Sequence, residues 1–236
     1  MEFTKADEIA SVLEEAIATG TIPSGTVLRQ EQISRDFQVS RTPTREALRR
    51  LAALGLAEFL PNRGVRVRSL DRGQWHEIYL VRAALEGLAA SMAASVITDQ
   101  QLEVLKEAEA AFAACTNALR RELTDSEREA ATYDWLQANV RFHDVILQAS
   151  GSELVDRLAR SVRRAFAGRS IWRPASEIDA LYEQMVRQHT AIRDALVARS
   201  PRGASELSSE HVLNSWTLLE HILDETSDRR PQRRSM

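Results

Sequence analysis

Residues 41–54 carry a two-faced pattern that constrains the chain more than any other stretch. At 100° per residue, Arg41, Arg45 and Arg49 fall on one side of a helix. Ala47, Leu51 and Leu54 fall on the opposite side, with Leu48 at its edge. The pattern predicts a helix over about 42–54, with Thr42 as N-cap, Pro43 at the first helical position and Gly55 as terminator. A helix this short is marginal alone in water, so its apolar side must pack on other elements.

The preceding residues supply them. Ile9, Val12, Leu13, Ala16 and Ile17 recur at helical spacing, which predicts an amphipathic helix over 4–19, ended by Gly20 and the Pro23-Ser24-Gly25 turn. A short helix is expected at about 30–37, joined through the tight connection Gln38-Val39-Ser40. Ala57–Leu60 and Val65–Arg68 flank an Asn/Gly-containing loop and read as a β-hairpin. Helix, helix, turn, helix, hairpin is the layout of a winged helix-turn-helix, placed at 1–69.

Residues 70–73 read as a linker. From 74 to 226, Ala-, Leu- and Glu-rich stretches predict six helices near 74–95, 98–122, 126–149, 152–168, 176–199 and 203–226. With short joints they make an antiparallel bundle. The Arg-rich end, 227–236, is expected to be disordered. The fold class is therefore mostly α: an N-terminal winged helix-turn-helix followed by an antiparallel all-helical bundle. Only 9 Gly and 6 Pro in 236 residues agree with this, because a loop-rich or all-β chain needs more. No apolar run nears the roughly 18 residues of a membrane span, and the first residues lack the layout of a signal peptide. The single Cys115 excludes an internal disulfide and a thiolate zinc cluster. A cytoplasmic protein with no membrane partner is the expectation.

Charge is unevenly spread. Residues 29–68 carry nine Arg and four acids, net +5, while 1–28 are net −4 and 71–228 net −8. A short basic segment on an acidic chain is an electrostatic footprint for a polyanion. Charged helix faces are commonly just solvated, but here the row of arginines lies on the last helix of a helix-turn-helix. That helix fits a major groove, where Arg pairs bidentately with guanine O6 and N7. The expected base readers are Arg41, Arg45 and Arg49. Ser40, Thr42 and Thr44 are expected to donate to phosphates near the helix N-terminus. Asn62, Arg63 and Gly64 form the hairpin tip that would meet the DNA backbone or minor groove. Arg50 points sideways and reads as solvated; Arg35 on the preceding helix is a candidate phosphate contact.

The residues that carry a resemblance are Thr21–Leu28, Val39-Ser40-Arg41-Thr42-Pro43-Thr44-Arg45-Glu46-Ala47-Leu48-Arg49-Arg50-Leu51, Gly55-Leu56 and Pro61-Asn62-Arg63-Gly64-Val65. Residues 21–68 resemble the DNA-binding domain of the GntR superfamily. The resemblance implies major-groove reading by Arg41 and Arg45 and a wing position for Gly64. Two positions depart from the family: Ser34 stands where Ala is usual, and Glu31 where some members carry a DNA-contacting Arg.

All five histidines follow residue 70: His76, His143, His189, His211 and His221. A lone helical His is most often a core or surface residue. Asn139 and His143, however, are one turn apart on a single helix, and His189 and His211 lie on two others. Facing helices of a bundle can converge such side chains on one cation. Three imidazoles and one oxygen suit Zn²⁺, Ni²⁺ or a related ion.

Residues 74–225 look like the all-helical FCD ligand-binding domain of the FadR-type branch of the same superfamily. That resemblance implies a metal site at Asn139, His143, His189 and His211, with Asn139 departing from the commoner Asp. An amide is neutral and binds a cation more weakly than a carboxylate. It also implies a small carboxylate effector. Arg82, of the Arg82–Glu86 pair on the first bundle helix, would either hold that carboxylate bidentately or pair with a bundle acid. His76 and His221 lack pattern partners and read as structural. Trp135, Tyr133, Trp172 and Trp216 read as core or pocket lining, and Cys115 as a small buried residue.

The function expected is a ligand-responsive transcriptional regulator, a repressor released by a small organic acid, with no catalytic residues. Its partners would be double-stranded, palindromic operator DNA and a second copy of itself, because one helix-turn-helix buries little surface. A metal-responsive regulator uses the same residues with the ion as signal. A hydrolase built on the three-His site is the enzymatic alternative; Asp144 and Glu210 neighbour the ligands but should point elsewhere.

Overall fold

A computed structural model describes residues 4–18, 21–61, 64–68, 71–164 and 179–228. They form two compact units, one of the described residues up to Asp71 with 161–164, the other of 72–160 with 179–228.

The N-terminal unit comprises α1 (Lys5–Ala18), β1 (Val27–Leu28), α2 (Gln30–Asp36), α3 (Arg41–Ala53), β2 (Ala57–Leu60) and β3 (Gly64–Val67). Its core joins Ile9, Leu13 and Ile17 of α1 to Ile33 of α2 and Ala47, Leu48 and Leu51 of α3. Each fully buried Leu or Ile contributes roughly 1.5–3 kcal/mol. So the apolar side of α3 is covered as its wheel predicts, except that Leu48 replaces Leu54 among the buried positions; Leu54 is the half-buried C-cap. Gln38 takes the left-handed conformation (φ 54°) in the turn before α3, and Gly55 does so after it (φ 74°). The N-cap lies two residues earlier than expected. It is Ser40, with no side-chain cap bond, so Thr42 is not the cap and Pro43 is the third helical residue. Pro is tolerated there because its missing N–H belongs to the unsatisfied first turn.

The hairpin is present, and β3 begins at Gly64 rather than Val65. β1, unforeseen, completes a sheet of order β1-β3-β2, all antiparallel. Two residues are too few for an alternating pattern to reveal a strand. Gly64 (φ 101°) lies where any Cβ would collide with the Leu28 carbonyl. Arg50 is not merely solvated: its guanidinium pairs with Asp7 at 2.5 Å and Glu14 at 3.5 Å, tying α3 to α1. Thr4 and Arg50 both favour the charged Asp7 carboxylate, the Thr4 hydroxyl most, and hold it below its ordinary value.

From Arg72 on, the described residues contain six helices: α4 (Arg72–Val96), α5 (Asp99–Leu119), α6 (Asp125–Ala149), α7 (Glu153–Arg164), α8 (Asp179–Val197) and α9 (Pro201–Asp228), all in the C-terminal unit except residues 161–164 of α7. α4 begins inside the stretch read as a linker, since Arg72 and Gly73 are already helical. α9 runs on through Ser227 and Asp228, which were expected in the tail. Residues 229–236 lie outside the described residues, as does Trp172. Thr98 and Thr124 each form a capping box, with Gln101 and Glu127 as third helical residues. Such caps satisfy backbone donors that otherwise have no partner. α4 and α9 pack so closely at Gly87 that a Cβ there would strike Ser209, whose hydroxyl donates to the Ala83 carbonyl at 2.9 Å. The larger core joins α4, α5, α6, α8 and α9 through residues such as Ala90, Leu105, Phe142, Ile192 and Ala204.

Candidate functional site

On α3 the two faces separate as their chemistry requires. Arg41, Arg45 and Arg49 stand exposed at successive turns, opposite Ala47 and Leu51. Arg41 Nη2 lies 2.9 Å from Glu31 Oε1 on α2, and Arg49 Nη1 lies 3.3 Å from Glu46 Oε1. Ser40 and Thr42 are exposed beside Arg41. Gly64 opens β3 at the hairpin end, while Asn62 and Arg63 lie outside the described residues.

Thr44 is a correction. Its side chain is fully buried, donating to the Ser40 carbonyl at 3.3 Å and sharing a hydrogen bond with Ser34 Oγ at 2.9 Å. The hydroxyl that was expected on a phosphate instead fastens α3 to α2. Ser34, noted as a departure from Ala, is what makes this contact.

In the bundle, the buried seam of α8 runs Tyr182, Met185, His189, Ile192, Leu196, and that of α9 includes Ala204, Ser208, His211, Ser215 and Leu218. Each seam follows the three-and-four spacing of a packed helix. His189 and His211 therefore occupy core positions, where an apolar residue would otherwise sit. His143 joins them from α6, and all three are 2% exposed or less. Their ligating nitrogens lie within 4.8 Å of one another. His211 Nε2 is 3.2 Å from His143 Nε2 and 3.1 Å from His189 Nε2.

The outer nitrogens explain this convergence. Glu86 Oε2 on α4 approaches His143 Nδ1 at 2.8 Å. Gln188 Oε1, which can only accept, lies 3.1 Å from His211 Nδ1. A proton on each Nδ1 would suit both contacts and would leave the Nε2 lone pairs of His143 and His211 facing each other. A proton on His189 Nε2 would satisfy one close pair and leave the other opposed. The ring of His189 is fixed differently: Phe142 stacks on it at 3.9 Å and Phe112 packs at 4.4 Å. Burial, reinforced by the neighbouring imidazoles, drives His189 and His211 well below the ordinary imidazole value. They are neutral at pH 7, the state a metal ligand needs. Asn139 Oδ1, one turn before His143, is buried with no hydrogen-bond partner. His143, His189 and His211 stand close enough together that they could hold a metal ion.

Arg82 is paired with a bundle acid, Glu86. Its Nε and Nη2 both donate to Glu86 Oε1 at 3.1 Å, and the guanidinium lies 4.9 Å from the Tyr79 ring centre. Burial acts most strongly, against the Arg82 charge, but Glu86 and Tyr79 together more than offset it and hold the guanidinium above its ordinary value. Glu86 thus serves Arg82 with one oxygen and His143 with the other. In the sequence Glu86 stands out only as the pair of Arg82, and nothing there marks Gln188. Gln188 is next to His189 yet serves His211 on another helix, and no spacing rule discloses that. Asp144 is turned to Arg160 on α7 at 2.7 Å, and Glu210 is exposed, so neither is placed as a base beside the imidazoles. His76 packs against Trp216 at 5.6 Å, His221 is exposed, Trp135 and Trp216 are core, and Tyr133 and Cys115 are half-buried.

Comparison with known proteins decides the family. The model of the FCD domain matches residues 77–214, and that of bacterial regulatory proteins of the gntR family matches residues 5–67. The chain belongs to the GntR family, with an FCD domain. A similar protein is the "Probable D-xylose utilization operon transcriptional repressor" of Paenarthrobacter nicotinovorans, 31% identical, the match covering 68% of this chain and 76% of that one. The HTH-type transcriptional repressor RspR of Escherichia coli is 27% identical over 94% of this chain and 91% of its own. Among solved structures, E. coli McbR/YncC superposes with a TM-score of 0.72 at 18% identity, over 92% of this chain and 98% of that one, a likeness of fold. GntR proteins with an FCD domain are transcriptional regulators, so this chain is a transcriptional regulator and not an enzyme. The hydrolase alternative is set aside. No helix among the described residues is long and apolar enough to cross a membrane.

Proposed function

We propose that this regulator is a cytoplasmic repressor that binds a palindromic operator as a homodimer and is released by a small carboxylate at a metal-bearing site in its helical domain. The observation that carries the reading is the buried His211 Nε2, 3.2 Å from His143 Nε2 and 3.1 Å from His189 Nε2, with Glu86 and Gln188 facing the outer nitrogens of His143 and His211. His143, His189 and His211 would hold a divalent cation, Zn²⁺ or Ni²⁺, with Asn139 as oxygen ligand. When bound, the ion cross-links three helices and supplies positive charge that attracts an anion. Glu86 and Gln188 orient two of the imidazoles, and Phe142 and Phe112 position the third. Arg82, paired with Glu86, stands one turn away on α4 as a second cation for a carboxylate.

DNA reading is assigned to Arg41, Arg45 and Arg49, with Ser40, Thr42, Asn62, Arg63 and Gly64 on the phosphate backbone or minor groove. Homodimer formation follows from paired half-sites. Leu80, Val81 and Leu88, each 48% exposed, leave an apolar strip on α4 for a second copy. The effector can shift DNA binding only by favouring the released state over the bound one. The test is a complex of the purified protein with a duplex enriched from a random library. It is titrated with Zn²⁺ or Ni²⁺ and then with a panel of small organic acids. Release by an acid, dependent on the metal, supports the reading. Release by the ion alone makes the protein a metal sensor instead.

A further inference from the structure

Two adjacent side chains of α2 act on the same residue of α3. Gln30 Nε2 donates to the Arg41 carbonyl at 3.1 Å, and Glu31 Oε1 accepts from Arg41 Nη2 at 2.9 Å. The pair is open to solvent, with side chains 73% and 66% exposed. Pairs this exposed add little to stability, so stability does not account for it. The other two arginines of the row are paired within α3, both with Glu46. Arg41 is the one whose guanidinium is anchored to a different element. A carboxylate on a segment of net +5 that faces a polyanion weakens attraction to every phosphate nearby.

We propose that Glu31 is a specificity-determining residue that acts through Arg41. It occupies one Nη2 proton and holds the guanidinium beside the start of α3. The other Nη2 proton and those of Nη1 remain for the O6 and N7 of a guanine. An arginine freed from Glu31 can swing to a phosphate, which strengthens binding to any duplex and reads nothing. Glu31 gives up general affinity and keeps Arg41 on a base edge. This rests on α3 being the base-reading helix.

The experiment compares wild type, Glu31→Gln, Arg41→Ala and the double variant. Each is used to select duplexes from a random library, and each is titrated against one scrambled duplex across a salt series. Glu31→Gln keeps the size and loses the charge. It is expected to bind the scrambled duplex several-fold more tightly, with a salt slope steeper by about one phosphate contact. Sequence preference should fall at one position of the motif. Arg41→Ala should lose preference at that same position, and adding Glu31→Gln to it should change preference no further. Unchanged scrambled-duplex affinity in Glu31→Gln, or an equal loss of affinity for every duplex, overturns the role of Glu31. If wild type enriches a motif that Arg41→Ala enriches equally, Arg41 is not the reader and the proposal falls with it. A wild type that enriches no motif overturns the base-reading assignment of α3 itself.

Discussion

Glu86 Oε2 lies 2.8 Å from His143 Nδ1, while Oε1 of the same carboxylate accepts two bonds from Arg82. One buried carboxylate thus faces a ring of the three-imidazole cluster and pairs with the arginine one turn away on α4. Carboxylates in this relation to a ligating imidazole typically govern metal affinity by 10–100-fold. Glu86→Gln is expected to weaken Zn²⁺ binding by about that factor, measured by competition with a chromophoric chelator, with helix content by circular dichroism kept native. Affinity equal to wild type would remove Glu86 from the metal's surroundings.

Arg41→Ala should cost about 1–3 kcal/mol of binding to the selected operator and relax the sequence at one position. Arg45→Ala should do so at another. Fluorescence anisotropy against the operator and its single-base variants reads both. A loss that is uniform over all sequences would make these arginines phosphate contacts.

Thr44 is sealed between α2 and α3, its hydroxyl bonded to Ser34 and the Ser40 carbonyl. Thr44→Val therefore should lower the melting temperature of the protein, by loss of bonds worth about 1 kcal/mol. The salt dependence of DNA binding should stay as in wild type. A slope reduced by about 0.9 would instead return Thr44 to the phosphates.

Gly64 combines a φ of 101° with a backbone approach that leaves no room for a methyl group against the Leu28 carbonyl. Gly64→Ala should strain β3 by about 1–3 kcal/mol from conformation alone, with the collision in addition. The expected readout is early hydrogen exchange at Val65 and Arg66, whose register partners in β1 are Leu28 and Val27. Exchange protection equal to wild type would contradict the close approach.

The sequence displayed elements whose periodicity is long and whose chemistry is local. The arginine row of α3, the hairpin and the six bundle helices were all legible because each is written in neighbouring residues. The imidazoles could be named, because each sits on a helix of its own at a core spacing. What was hidden depends on pairs distant in sequence. Glu86 and His143 are on α4 and α6. Gln188 and His211 are on α8 and α9, and nothing local marks either contact. Thr44 read as exposed because a hydroxyl after Pro43 suits a helix N-terminus. Its burial follows from its place one turn before Ala47 and Leu48 on the packed face of α3, where Ser34 offers the hydroxyl a partner. β1 has two residues, and only pairing with β3 makes it a strand.

The most direct test of the metal-bearing site is ion content. Wild type, His189→Ala and Leu196→Ala, a core control, are purified, stripped with chelator and reloaded with Co²⁺. Wild type and the core control are predicted to bind one ion per chain with the visible absorption of a nitrogen-ligated site, and His189→Ala to bind none. Stoichiometric Co²⁺ in His189→Ala, or none in wild type, would contradict the three-imidazole centre.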